Sequence, residues 1–236
     1  MNQNRKFWRV FPMILVALLL ATGLVAFQGA HVAHASTIYY ANPGDDLQTK
    51  FNQLSAGDTL SLNDGTYSGT KAHIDIESKM GTSTAPYNIV ATHDGKALMD
   101  GGALSSGVST TSGIFINNSS YVNVTGLVVY DDYADNIQMH GDTSITITRV
   151  TAWDAGIGNS VDWQNFDING GASTDITIQD SAALNPHTTG QHGRYNFVAY
   201  HASDVKFIRD YAQWPSGLQE HSPVVTMGYM ERLICG

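Results

Sequence analysis

Cysteine is nearly missing from this chain: Cys235 is the only one in 236 residues. A lone thiol excludes an intramolecular disulfide and any zinc site built on cysteine thiolates. Basic residues are also scarce, with 12 Lys and Arg against 21 Asp and Glu. Phosphate backbones are held by basic surfaces, so this balance argues against nucleic acid as a partner. After Phe27 no apolar run is long enough to cross a bilayer, and after Leu54 helical periodicity is absent. What remains is a chain of short alternating segments, punctuated by 23 glycines and many Asn, Asp and Ser residues.

The N-terminus reads as a targeting segment. Arg5, Lys6 and Arg9 precede the apolar stretch 11–27, and Ala33-His34-Ala35 supplies the small-x-small pattern of a signal-peptidase site. Residues 1–35 are therefore expected to be a signal peptide and the protein secreted, with an uncleaved membrane anchor as the competing reading. Either way the globular part lies outside the membrane. Removing the segment leaves 9 basic and 21 acidic residues, a net charge of −12. The 200 or so residues from 36 to 236 suffice for one domain with a continuous core.

Four copies of one pattern fill residues 113–214. Each is a turn residue, a short alternating strand, a polar corner and a second alternating strand. The first strands begin Gly113-Ile114-Phe115-Ile116, Asn136-Ile137-Gln138-Met139, Asn165-Phe166-Asp167-Ile168 and Asn196-Phe197-Val198-Ala199. The second strands are Tyr121-Val122-Asn123-Val124, Ser144-Ile145-Thr146-Ile147, Asp175-Ile176-Thr177-Ile178 and Asp204-Val205-Lys206-Phe207. Such self-similarity marks a solenoid whose units bury their apolar faces by stacking on one another. Period two places Ile114, Ile116, Ile137, Met139, Phe166, Ile168, Phe197 and Ala199 inside, with Val122, Val124, Ile145, Ile147, Ile176, Ile178, Val205 and Phe207. An antiparallel sandwich is the rival, but its hairpins carry no need for the same residue at the same corner in successive units. The column Gly113, Asn136, Asn165, Asn196 suits tight or left-handed corners, and its amides can bond along the stack.

Upstream, Asp46 and the spacing of Leu47, Phe51 and Leu54 predict a helix over about 46–54 that covers the open end of the solenoid. Short strands are expected at 38–40, 59–62, 87–91 and 97–99. Pro223-Val224-Val225-Thr226 begins another coil, and residues 227–236 show neither a second strand nor a cap. The C-terminal end is expected to be incomplete, as in a truncated relative of a longer solenoid, with a monomer the expected state if that end is covered.

These residues resemble the right-handed parallel β-helix proteins of pectate-lyase-like type. Residues 56–69, the run Ala85-Pro86-Tyr87-Asn88-Ile89-Val90-Ala91 and the pair Asp100-Gly101 are similar to the alginate-lyase and chondroitinase-B-like group. The resemblance implies an all-β fold and a groove on one parallel sheet in which an acidic polysaccharide lies. That groove would be lined by Phe115, Asn117, Gln138, His140, Asp167, Asn169, Val198 and Tyr200. The repeat spacing grows from 23 to 29 to 31 residues, which lengthens the loops 130–135, 153–164 and 183–195 at its edge.

Within these loops chemistry has several candidates. Lyase chemistry needs a cation or basic group at the substrate carboxylate and a base for the C5 proton. Arg194 is the only basic residue in the three loops, and with His192 and His187 it forms the candidate catalytic set. His140, Asn169, Tyr200 and Trp163 are expected to contact sugar, as are Trp153 and Trp214, whose faces suit pyranose rings. Asp131, Asp132, Asp154, Asp162 and Asp167 fall in adjacent coils about 4.8 Å apart, where oxygen ligands suit Ca²⁺; capping of turns by the same aspartates is the plainer alternative. Asp131-Asp132 also resembles the paired aspartates of polygalacturonase-type hydrolases. The leading expectation is a polysaccharide lyase assisted by Ca²⁺. The alternatives are a glycan-binding surface protein without activity and a glycoside hydrolase.

Overall fold

The computed structural model describes residues 35–102, 112–156, 163–185 and 195–213, together with the backbone of 224–226 and 230–235. The chain divides after His34, and the unit Ala35–Gly236 is described here. It opens with β1 (Ile38–Ala41) and helix α1 (Leu47–Phe51), followed by β2 (Thr59–Leu62), β3 (Gly65–Ser68), β4 (Ile74–Glu77), β5 (Tyr87–Ala91) and β6 (Ala97–Asp100). The clearest coils then run β7 (Ile114–Asn117), β8 (Ser120–Thr125), β9 (Val128–Tyr130); β10 (Ile137–His140), β11 (Thr143–Thr148), β12 (Thr151–Trp153); and β13 (Phe166–Asn169), β14 (Thr174–Gln179), β15 (Ala182–Leu184). The last strands are β16 (Phe197–Tyr200), β17 (Ser203–Gln213), β18 (Val224–Thr226) and β19 (Met230–Cys235).

Strand pairing is parallel from coil to coil. One six-stranded sheet has the order β18-β16-β13-β10-β7-β4, and the larger sheet joins two faces through the long β17. One of those faces is β1-β2-β5-β8-β11-β14-β17 and the other is β17-β15-β12-β9-β6-β3, with β19 also pairing β17. The copies align as their sequences do: Ile137 lies opposite Ile114 and Phe166, and Ile145 opposite Val122 and Ile176. All sixteen inward positions named from the alternation are at most 1% exposed. Phe166 and Phe197 stack within the core, ring centroids 4.8 Å apart, and Phe207 tilts against Phe197 at 5.3 Å.

The helix is shorter than its sequence signal but does the expected work. Asp46 caps it through Oδ1, which accepts from Thr49 N at 2.7 Å, and Leu47, Phe51 and Leu54 are all buried. α1 packs against β1 and β4, at the N-terminal end of the stack.

Three expectations need correction. The loops read as 130–135, 153–164 and 183–195 begin inside strands, because β9, β12 and β15 form a third face whose single inward residues are Val129, Ala152 and Ala183. Residues 227–236 are not strandless: β19 pairs with β17, whose unpaired ladder recruits it despite Glu231 and Arg232. The Gly113/Asn136/Asn165/Asn196 column does not take left-handed backbone. Those corners fall elsewhere, in columns such as Tyr121/Ser144/Asp175/Asp204 and Arg149/Asp180/Arg209, with φ between 51° and 57°. The column instead forms the expected amide ladder. Asn136 Nδ2 donates to Asn165 Oδ1 at 2.7 Å, and Asn165 Nδ2 to Asn196 Oδ1 at 2.8 Å.

Candidate functional site

The six-stranded sheet presents two outward columns, because its inward residues alternate with them. Asp75, Phe115, Gln138, Asp167 and Val198 stand in register in one; Asn117 lies opposite Glu77 and His140, and Asn169 opposite Tyr200, in the other. The side chains of Gln138 and Asn169 favour the charged form of the Asp167 carboxyl, against the larger effect of its burial. His140 is exposed, its Nδ1 lying 3.3 Å from Asn117 Oδ1. Gly170 makes room for that imidazole, since a Cβ there would overlap the ring. Tyr200 is 48% exposed and its ring lies against His201, centroids 3.9 Å apart. His140, Asn169 and Tyr200 thus share one exposed strip, as their spacing implied.

The carboxylates separate into two kinds. Asp131 and Asp154 occupy left-handed corners, φ 57° and 54°, a conformation that Asp tolerates better than most residues. Asp132, Asp135 and Asp167 are sealed, at 2%, 0% and 4% exposure. Burial holds the Asp132 carboxyl well above the usual range, and the charges of Asp100, Asp131 and Asp135 push it further. Burial likewise raises Asp135, with repulsion from Asp167 added and one backbone bond from Gln164 N at 2.6 Å opposing. Asp167 is raised by the same burial. One oxygen on each of the three, Asp132 Oδ2, Asp135 Oδ2 and Asp167 Oδ1, has no hydrogen-bond partner among the described residues.

A Ca²⁺ ion takes six to eight oxygens. Among the described residues no three His, Cys, Asp or Glu side chains come together to hold a metal. The corner and sealed aspartates therefore do not by themselves form a cage. Asp162 and the catalytic candidates His187, His192 and Arg194, with Trp214, lie outside the described residues. Trp153 stacks on Tyr130 at 4.4 Å with the rings nearly parallel, so one of its faces is already covered. Trp163 is half-buried, with its Nε1 unbonded among the described residues. The sequence marks the burial of Asp135 only by its place directly before Asn136 in the asparagine column.

No protein-family model matches the sequence, and no curated protein matches it. Solved structures do. The pectate lyase Pel9A superposes with a TM-score of 0.62 at 17% identity, over 78% of this chain and 50% of that one. The fold is a right-handed, pectate-lyase-like parallel β-helix. A rhamnogalacturonan lyase matches this β-helix with a TM-score of 0.52 at 11% identity, over 85% of this chain and 62% of that one. An alginate lyase from Paenibacillus sp. shows 13% identity and a TM-score of 0.40, covering 84% and 95%. The β-helix spans about half the length of Pel9A and under two thirds of the rhamnogalacturonan lyase. At these identities the likeness is one of fold, so chemistry must be argued from side chains.

Proposed function

We propose that this β-helix is a secreted polysaccharide lyase that lays an acidic, uronate-containing glycan along its six-stranded sheet and cleaves it by β-elimination. The observation that carries the reading is the exposed polar strip of His140, Asn169 and Tyr200, with half-buried Asn117 beside it, on the sheet that the three long loops enter. An extended polymer meets one side chain per coil there, about every 4.8 Å. Residues 1–35 serve as the export signal in this reading, and among the described residues no helix is long and apolar enough to cross a membrane.

Arg194 binds the substrate carboxylate, for which its planar fork is suited. His192 or His187 accepts the C5 proton. The electron pair released at C5 forms the C4=C5 double bond as the C4–O bond breaks, and the departing oxygen takes up a proton. His140, Asn169, Tyr200 and Trp163 orient the sugar. Ca²⁺ would supply charge neutralisation at the carboxylate. With a net charge of −12 for residues 36–236, the protein has no long-range attraction for a polyanion without it.

A second reading is favoured by one observation. Asp167 is a buried carboxyl raised in pKa, on the groove sheet and coupled by repulsion to Asp135 in the preceding coil. A carboxyl that keeps its proton suits the general acid of a glycoside hydrolase. Incubation with pectate, alginate and chondroitin separates the two: ultraviolet absorbance of an unsaturated uronate marks elimination, and new reducing ends without it mark hydrolysis. An elimination activity that survives both Arg194→Ala and His192→Ala would remove these residues from the mechanism.

A further inference from the structure

A separate groove lies on the face built by β5, β8, β11, β14 and the start of β17. Its volume is about 320 Å³, within the range of small-ligand sites. The floor is the strand column Asn123, Thr146 and Thr177, and Tyr121, Ser83, Pro86, Ser144 and Asp175 complete the lining. Most ligand pockets are lined by apolar groups. This one carries amide and hydroxyl groups together with one carboxylate, that of Asp175. We infer that it binds an uncharged, hydroxyl-rich glycan, at a site distinct from the strip on the six-stranded sheet.

Register makes the floor a regular array. Asn88, Asn123, Thr146 and Thr177 stand opposite one another in successive coils, so one hydrogen-bonding group recurs about every 4.8 Å. The array is stiff before any ligand arrives. Asn123 Nδ2 donates to Asn88 Oδ1 at 3.0 Å, which ties the two amides together. The two threonines are β-branched and restricted at χ1. Their hydroxyls both donate and accept, as sugar hydroxyls do. Tyr121 and Pro86 supply apolar surface for the C–H faces of a sugar ring.

Charge on the rim selects against polyanions. Asp175 accepts from Ser144 Oγ at 2.7 Å, and Lys206 Nζ lies 3.7 Å from Asp175 and 3.2 Å from Asp204. Two carboxylates against one ammonium leave the edge slightly negative. A uronate chain would meet repulsion here, whereas a neutral glycan would not.

The test is an NMR titration of the whole chain with cellohexaose and mannohexaose, using hexagalacturonate as the charged probe. At least one neutral hexasaccharide should shift backbone amides of β8, β11 and β14, and hexagalacturonate should not. Thr146→Val and Thr177→Val each remove one hydroxyl at nearly constant volume. Each should weaken that binding about fivefold, as loss of a neutral hydrogen bond does, with the melting temperature unchanged and Thr146→Ser retaining affinity. Cleavage of acidic polymer should be the same in all of these variants, which separates this groove from the proposed active site. The inference is overturned if neither neutral sugar shifts those strands, if the shifts map to the six-stranded sheet, or if both valine variants bind as wild type. Tighter binding of hexagalacturonate at these strands would overturn it equally.

Discussion

Gly113 is where the asparagine ladder stops. Asn136 and Asn165 each donate to the next side chain and to a carbonyl, Trp153 O and Leu184 O, and Asn196 donates to Gln213 O. A fourth amide at position 113 would donate to Asn136 Oδ1, which is buried with no partner among the described residues. The Asp132 carboxyl fills that space instead, because a Cβ on Gly113 would run into Asp132 Oδ2. Burial and the neighbouring Asp100, Asp131 and Asp135 disfavour a charge at Asp132, and a neutral amide there carries none. Asp132→Asn is therefore expected to stabilise the fold at neutral pH by about 1 kcal/mol, read as a higher midpoint in urea; a lower midpoint would contradict this placement. Asn165→Ala breaks the ladder at its centre. It strips a donor from both Leu184 O and Asn196 Oδ1 and an acceptor from Asn136 Nδ2, at a cost of roughly 2–4 kcal/mol.

At the scale of strands and corners, proton uptake follows from how the turns are tied. Asp142 accepts from Ser119 N at 2.8 Å and His140 N at 2.7 Å; Asp210 accepts from Ser181 N at 2.7 Å and Ile208 N at 3.1 Å. These bonds favour the charged form, but burial is the larger effect and raises Asp142 to about 6 and Asp210 to about 7. Both then hold a proton more tightly folded than unfolded, where the ordinary value is 3.8. Their contribution to stability is complete below that value and is lost as pH rises through about 6 and 7. The melting temperature is expected to be higher at pH 5 than at pH 8, and Asp210→Asn should flatten that slope; a slope of opposite sign would contradict it. Period-two alternation made β7, β10, β13 and β16 and their partners legible, since four to six residues show a face. β9, β12 and β15 were illegible because a three-residue strand has only one inward side chain, Val129, Ala152 or Ala183. The aspartates were ambiguous for a different reason. Whether Asp132 is sealed and Asp131 sits at a left-handed corner depends on how a coil closes, which adjacent identical residues do not reveal.

The whole β-helix is held by stacks that no single coil completes. Phe197 touches Phe166 in the coil before it and Phe207 in its own second strand; Phe197→Ala should cost about 3–5 kcal/mol, seen as a cooperative loss of the denaturation midpoint. Stacking also gives the molecule its parallel faces, one a polar strip bordered by long loops and another the hydroxyl-lined groove. The first of these faces bears the central proposal. The most direct measurement is the ultraviolet absorbance of products when the full chain is incubated with pectate, alginate or chondroitin in Ca²⁺, then repeated with a chelator and with Arg194→Ala. The expected result is an unsaturated product from at least one acidic polymer that falls sharply in both controls. No unsaturated product from any of the three, with or without new reducing ends, would contradict lyase function.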